Sequence, residues 1–214
     1  RSSAGPGLVL VQEIFGVNGH IRNVCARIAA HGYVAIAPDL FHRTVKQLDL
    51  GYGPKDIEQG RKHKDATTRE GVVADARACI AALKAREDVR PADIGSVGFC
   101  FGGHVAFMAA SLPEIKATGC FYGGGMQNSL DLAGQIKGAL RLYYGEEDKG
   151  IPPDVVESIA SSLMQAKVNF MVTIYTGAQH GFACDQRASF IADAAGQAWR
   201  DLFKLWDREL NHAG

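Results

Sequence analysis

The sequence has 214 residues, 47% of them hydrophobic, and its 23 Lys and Arg residues balance its 23 Asp and Glu residues. A formal net charge of zero argues against a nucleic-acid partner or an anionic membrane partner, and no apolar run approaches the roughly 20 residues that span a bilayer. Five cysteines without paired spacing argue against a zinc framework or a disulfide scaffold and fit a reducing cytoplasm. The length suits one α/β domain, and we expect a monomer or a weak dimer.

Two apolar runs with a helical pattern between them open the chain. The run over 7–12 predicts a strand buried on both faces. Apolar residues at helical spacing predict a helix over 20–31, which Gly32 would end. A second apolar run over 33–37 predicts another strand, which ends at Pro38. The order strand, helix, strand implies that the two strands are parallel.

The stretch over 40–68 is polar and only weakly periodic. A long excursion of this kind in a compact domain is usually functional or mobile. We therefore interpret it as a lid or cap over the functional site, within a single domain that spans 1–214. Helical patterning returns over 69–86, with apolar residues on one face.

The rest of the chain alternates short apolar runs with helical patterns. The predicted strands are 94–97, 117–122, 139–144 and 170–175, and the predicted helices are 105–110, 152–166 and 188–210. With at least six short buried strands among helices, the sequence predicts an α/β fold. Its central sheet would be mostly parallel, with helices on both faces.

A cysteine lies between two glycines at the junction of a predicted strand and a predicted helix. The pattern Gly98-x-Cys100-x-Gly102 has the spacing of a nucleophile elbow, with sulfur in place of the usual hydroxyl. The helix that follows points its positive end at the sulfur, which favours the thiolate. The backbone N–H of Phe101 would be free to face a developing oxyanion. The alternative is a buried structural cysteine beside a tight turn.

Two further residues follow strands at the same edge of the predicted sheet. Asp148 comes after the strand that ends at Tyr144, and His180 comes after the strand that ends at Tyr175. The order nucleophile, acid, histidine is that of the α/β-hydrolases. The histidine would take the proton of Cys100, and the aspartate would orient the imidazole. Taken singly, the aspartate reads as a turn residue and the histidine as a loop residue bonded to the backbone.

Six short motifs together carry a wider resemblance. They are Gln12-Glu13-Ile14-Phe15-Gly16, Ala37-Pro38-Asp39-Leu40-Phe41, Gly98-Phe99-Cys100-Phe101-Gly102-Gly103, Tyr122-Gly123-Gly124-Gly125, Gly145-Glu146-Glu147-Asp148 and His180-Gly181-Phe182. On these motifs the chain resembles the dienelactone hydrolase family from about residue 8 to the last helix. The first motif and the cysteine elbow are the most distinguishing ones.

This resemblance implies an α/β-hydrolase fold and a triad of Cys100, His180 and Asp148. It also implies that Glu13 sits beside the thiol and helps to deprotonate it when substrate arrives. A carboxylate there would also favour the protonated thiol at rest through like-charge repulsion, which would protect the sulfur from oxidation. The alternative for Glu13 is a loop carboxylate that caps the next helix. The implied oxyanion donors are the backbone N–H groups of Ile14 and Phe101.

The residues that would hold the substrate depart from the family pattern. In members that cleave dienelactone, an arginine shortly after the catalytic histidine grips the substrate carboxylate, and Cys184 occupies that position here. Arg187 could substitute for it, or could start the last helix. Arg61 and Arg69 are candidates for the family's second substrate arginine, and Tyr122 is a candidate substrate contact. Dienelactone itself is therefore in doubt as the substrate.

The sequence thus predicts a cytoplasmic thiol hydrolase that cleaves a small ester or lactone through an acyl-thioester, with no metal and no organic cofactor. Three alternatives remain open. The protein could be a general carboxylesterase, a non-catalytic receptor that retains the hydrolase shell, or a redox-sensing thiol protein. An intact triad argues against the receptor, and no resolving cysteine is evident for the redox sensor.

Overall fold

The computed structural model of the protein describes residues 4–211. Its centre is a sheet of six parallel strands in the order β2-β1-β3-β4-β5-β6. The strands are β1 (Gly5–Val11), β2 (Val34–Ile36), β3 (Val89–Phe99), β4 (Ile115–Phe121), β5 (Ala139–Gly145) and β6 (Phe170–Tyr175). Most side chains of β1, β3, β4 and β5 are buried, because helices cover the sheet.

Among the described residues, six α-helices and one 3₁₀ segment accompany the sheet. The α-helices are α1 (Gly19–Ala30), α2 (Pro54–Asp65), α3 (Arg69–Lys84), α4 (Phe101–Ala109), α5 (Pro153–Gln165) and α6 (Ala192–Leu210), and the 3₁₀ segment is Met126–Gln135. Within residues 4–211, no helix is both long enough and apolar enough to cross a bilayer.

Helices α3 and α6 lie on opposite faces of the sheet. Gly7 of β1 faces Leu83 of α3, whereas the next residue, Leu8, lies beside Leu210 of α6 over the small surface of Gly95. Because neighbouring residues of a strand point to opposite faces, the two helices must cover different faces. The expected sheet, parallel and flanked by helices on both faces, is therefore confirmed.

Region 40–68 is more regular than its sequence indicates, because it contains α2. Pro54 occupies the first turn, and a carboxylate oxygen of Asp56 accepts the N–H of Gly53 at 3.0 Å. Basic residues fill the last turn, where they oppose the negative end of the helix dipole. Hydrophobic periodicity did not predict this helix, because Gly60 is the only buried residue of α2 and the helix has no apolar stripe.

Strand β3 and helix α4 begin earlier than expected, at Val89 and Phe101, and two further differences concern the functional site. The last helix begins at Ala192 and not at Ala188, because the Ile191 N–H donates back to the Phe182 carbonyl oxygen at 3.0 Å and holds the chain extended. The segment Met126–Gln135, for which the sequence predicted no element, is helical but broken at Ser129, whose backbone angles are not helical. These two differences bring Arg187 and Ser129 to the functional site.

Candidate active site

Cys100 lies between the end of β3 and the start of α4 at the carboxyl edge of the sheet. Its backbone has φ 56° and ψ −122°, a conformation that costs energy for any residue with a side chain. Backbone hydrogen bonds on both sides of the residue hold it there. The Cys100 N–H donates to the Phe121 carbonyl oxygen at 3.0 Å, and the Gly103 N–H donates to the Cys100 carbonyl oxygen at 2.9 Å. The expected strand–turn–helix is present, and it leaves the cysteine half-buried.

The glycines around Cys100 permit close contacts between backbones. A Cβ atom at Gly98 would collide with the Gly102 carbonyl oxygen, and one at Gly102 would collide with the carbonyl oxygens of Val11 and Gln12. Strand β3, helix α4 and strand β1 can therefore meet at this turn only without side chains at these positions. The position of the sulfur is consequently set by backbone packing.

Asp148 and His180 meet in the loops that follow β5 and β6. The His180 Nδ1–H donates to Asp148 Oδ2 at 2.7 Å, and the N–H of Gly150 donates to the other carboxylate oxygen at 2.9 Å. Because an ionised carboxylate only accepts, the imidazole carries a proton on Nδ1. His180 and Cys100 line the same cavity, and the charge of Cys100 is among the influences on the pKa of the ring.

The charges around His180 stabilise its protonated form. Burial lowers the pKa of His180, but the negative charge of Cys100 and the hydrogen bond to Asp148 outweigh burial and raise this pKa to about 10. The surroundings of the ring thus favour the imidazolium form of His180.

Glu13, which follows β1, is buried against Arg187. Glu13 Oε1 accepts from Arg187 Nη1 at 3.2 Å, while Oε2 is buried and has no hydrogen-bond partner within residues 4–211. Burial lowers the pKa of Arg187, but the charge of Glu13, with smaller contributions from Tyr122 and Cys100, raises it overall. Arg187 is therefore close enough to Glu13 and to the sulfur of Cys100 to interact with the charge of each.

Arg187 is not part of the last helix but lines the cavity in front of Cys100 and His180. Its guanidinium also lies over the rings of Phe15 and Tyr52, 5.8 Å and 5.7 Å from their centres. Contacts on several sides thus fix the position of this cation.

The backbone N–H groups of Ile14 and Phe101 border the same cavity. Neither donates to a backbone or side-chain acceptor within the described part of the chain. The N–H of Phe101 is free because it belongs to the first residue of α4. Helix α2 packs directly on Ile14, since a Cβ atom at Gly60 would collide with the Ile14 carbonyl oxygen. The sequence did not predict this support, and the role of the two N–H groups as oxyanion donors stays a prediction.

Tyr122 lies behind the site and does not line the cavity. Its side chain is fully buried, and its ring stands edge-on to the imidazole of His180, with ring centres 5.0 Å apart. The Tyr122 backbone, with φ 37°, is held by an N–H that donates to the Tyr143 carbonyl oxygen at 2.7 Å. Tyr122 was a candidate substrate contact, but in the structure its side chain packs against the imidazole of His180 and does not face the cavity.

The cavity in front of the sulfur has a volume of about 770 Å³. Helix α2 forms one wall with Ile57, Arg61 and Lys64, and helix α4 contributes His104 to another. Neither wall was predicted in any detail from the sequence, because α2 lacks an apolar stripe and His104 follows the elbow motif without belonging to it. The volume is that of a small-molecule site.

One buried group within residues 4–211 has the residue types of a metal site. Ligand atoms of Glu13, His20 and Cys184 lie within 4.8 Å of one another. Glu13 is already paired with Arg187, and the Cys184 thiol lies 3.3 Å from the Tyr52 hydroxyl oxygen. These contacts give Glu13 and Cys184 protein partners, and the expectation that no metal is required stays a prediction.

Comparisons with known proteins show the family of the chain. A sequence profile of the dienelactone hydrolase family matches residues 1–210. A Synechocystis protein provisionally named carboxymethylenebutenolidase is 42% identical over 213 residues, which cover 96% of this chain and 87% of the relative. An Escherichia coli protein with the same provisional name is 31% identical over 208 residues, or 93% of this chain and 75% of the relative.

Solved structures show the same relationship. A crystal structure from Klebsiella pneumoniae, provisionally assigned as a dienelactone hydrolase, superposes with a TM-score of 0.85 at 30% sequence identity. The match covers 97% of this chain and 89% of the other. With the family profile, the sequence relatives and the α/β sheet in agreement, the chain belongs to the dienelactone hydrolase family and is an ester or lactone hydrolase of that type.

Proposed function

We propose that the protein cleaves a small carboxylic ester or lactone with Cys100 as nucleophile, His180 as acid and base, and Asp148 as the residue that orients the imidazole. The observation that carries the proposal is the position of a cysteine on a strained strand-to-helix turn, in the same cavity as an imidazole whose Nδ1–H is 2.7 Å from a buried carboxylate. This is the arrangement that covalent acyl transfer requires.

In the first half-reaction the thiolate attacks the carbonyl carbon, and the carbonyl oxygen becomes an oxyanion. The free N–H groups of Ile14 and Phe101 stabilise this charge. As the intermediate collapses, the His180 imidazolium gives its proton to the departing alkoxide. An acyl-thioester on Cys100 remains, and a lactone ring opens in this step without losing its alcohol.

The second half-reaction benefits from the loss of the thiolate. Burial lowers the pKa of His180, and the negative charge of Cys100 is the largest influence that raises it. A thioester carries no such charge, so the pKa of His180 must fall once the enzyme is acylated. The neutral imidazole then takes a proton from water, the hydroxide attacks the thioester, and the acid is released as the thiolate re-forms.

Glu13 is proposed as the acceptor of the thiol proton when the sulfur is not already ionised. At rest its carboxylate is held by Arg187. A substrate that draws Arg187 towards itself would weaken this ion pair and leave Glu13 more basic. The activation of the thiol would thereby depend on the arrival of substrate.

The charges of the cavity favour a substrate that carries a negative group. Four lysine or arginine side chains line it, against the single carboxylate of Asp65. Arg69 is occupied by Asp131 at 2.7 Å, whereas Arg61 makes no ion pair with a residue in 4–211. Of the two candidates for a second substrate arginine, Arg61 on α2 is therefore the better one.

We further propose that the chain is one domain in which region 40–68 acts as the lid.

The proposal is tested by replacing the nucleophile. Cys100→Ala should abolish hydrolysis of a panel of aryl esters and lactones, while Cys25→Ala, a half-buried cysteine outside the cavity, should retain most of it. Turnover of any panel member by the Cys100 variant at the wild-type rate would exclude the mechanism. A wild-type protein that forms no acyl-enzyme would instead support a non-catalytic receptor.

A further inference from the structure

A hydrogen-bonded pair lies in the wall of the cavity formed by α4 and the Met126–Gln135 segment. His104 Nε2 is 2.8 Å from Ser129 Oγ, and both residues line the cavity. Ser129 is almost completely buried, with 1% of its surface exposed, and His104 is half-buried. The mechanism proposed above uses neither of them.

The contacts of Ser129 determine where its proton lies. Arg69 Nη2 donates to Ser129 Oγ at 3.2 Å, and arginine can only donate. Apart from Arg69, the only group of residues 4–211 at hydrogen-bond distance from the Ser129 hydroxyl is the imidazole of His104. A buried hydroxyl without an acceptor for its proton costs free energy. The Ser129 hydroxyl therefore donates to Nε2 of His104.

This hydrogen bond fixes the tautomer of His104. Because Nε2 accepts, the single proton of the neutral ring is on Nδ1. Nδ1 lies against the glycine turn, 3.2 Å from where a Cβ atom at Gly125 would be. Nδ1 has no hydrogen-bond partner among the described residues, and it is not fully buried. The Nδ1–H is therefore a free donor on a residue that lines the cavity.

The ring stays neutral over the physiological range. Burial lowers the pKa of His104 to about 4, and the positive charges of Arg69 and Lys64 act in the same direction. A neutral ring with Nδ1–H donates one hydrogen bond and adds no charge. Such a group suits an uncharged oxygen, in contrast to the cations on the α2 wall.

We propose that His104 Nδ1–H binds an uncharged acceptor oxygen of the substrate other than the oxygen of the scissile carbonyl. Substrates with a keto or ether oxygen in the acyl or alcohol part should therefore be preferred over hydrocarbon analogues of the same shape. The inference rests on the proposed function for the ester or lactone nature of the substrate. It adds the feature by which the α4 wall would select among such substrates.

Selectivity between isosteric esters tests the proposal. For the acyl part, nitrophenyl levulinate is compared with nitrophenyl isocaproate; for the alcohol part, methoxyethyl acetate is compared with butyl acetate. In at least one pair, His104→Leu should reduce the preference in kcat/KM for the oxygen-bearing ester by about two- to tenfold, the value of one neutral hydrogen bond. His104→Gln, which keeps an N–H donor, should restore part of it. The control His31→Leu, on the surface against Phe203, should not change it.

Two measurements separate this inference from the proposed function. The first is the affinity of the same esters for Cys100→Ala protein, in which no turnover is needed; the preference should again depend on His104. The second is the ¹⁵N NMR spectrum of the histidines at neutral pH, which should show His104 protonated on Nδ1 in the wild type. Ser129→Ala should shift the tautomer towards Nε2–H, the form that predominates for free imidazole side chains.

Two results would overturn the inference. One is an Nε2-protonated His104 in the wild type. The other is an unchanged preference in both ester pairs after His104→Leu, in turnover and in binding. If no ester is hydrolysed but the binding preference and the tautomer are as expected, the proposed function fails and this inference stands.

Discussion

Two parts of the site are held in place by different means. On the sulfur side, the turn at Cys100 is fixed by backbone contacts that leave no room for side chains at Gly98 and Gly102. On the side-chain side, Arg187 and His104, which line the same cavity, are held by an ion pair, aromatic contacts and a hydrogen bond between side chains. The first side should therefore tolerate almost no change. Differences in substrate preference should come from the second side.

The largest effect is expected from a methyl group on the backbone side. Gly98→Ala places a Cβ atom against the Gly102 carbonyl oxygen, whereas Gly124→Ala meets nothing within 4 Å. We expect Gly98→Ala to lower the free energy of unfolding by more than about 4 kcal/mol or to prevent folding altogether. Gly124→Ala should change it by less than about 1 kcal/mol. Denaturant unfolding measures both, and equal stabilities would contradict the close packing of the turn.

Removal of the proton carrier should have the next largest effect. His180 and Asp148 lie in loops at the sheet edge. His180→Ala and Asp148→Asn should therefore lower turnover by about a hundredfold or more while the protein remains folded. Steady-state kinetics together with circular dichroism measure the two effects. Wild-type turnover in either variant would remove that residue from the mechanism.

The charge of the sulfur should be visible in the titration of His180. Burial lowers its pKa, and the charge of Cys100 is the first of the influences that raise it to about 10, so Cys100→Ala should shift this pKa downwards. Because the pKa of His180 is higher in the folded protein than its ordinary value of 6.5, protonation of the ring stabilises the fold. This stabilisation is fully present below pH 6.5 and is lost as the pH rises through about 10. NMR titration of the ring in both proteins gives the shift. An unchanged pKa would show that sulfur and ring do not interact.

A smaller effect is expected on the side-chain side, at Glu13. Glu13→Gln removes a negative charge near the sulfur, so iodoacetamide should alkylate Cys100 faster near neutral pH. Turnover should fall by roughly tenfold, the value of an interaction of about 1.4 kcal/mol. The control is Glu58→Gln, an exposed position on α2. Superimposable inactivation profiles with equal turnover would make Glu13 a structural loop residue.

The same contrast explains what the sequence could predict. Cys100, Asp148 and His180 follow apolar strands whose parallel order brings their carboxyl ends to one edge, so spacing and order were sufficient to predict that they lie near one another. Helix α2 and Ser129 were not predicted, because one has no apolar stripe and the other lies at a break in a short helical segment. Pairings such as Glu13 with Arg187 join residues 174 positions apart. Nothing in local periodicity encodes such contacts.

The central claim is that hydrolysis passes through an acyl-thioester on Cys100. The most direct test is mass spectrometry of wild-type protein quenched in acid during turnover of a slowly hydrolysed aryl ester. The account predicts a protein that is heavier by one acyl group, with the addition on the peptide that contains Cys100 and with lability to neutral hydroxylamine. An acyl group on any other residue of a protein that is turning over would contradict it.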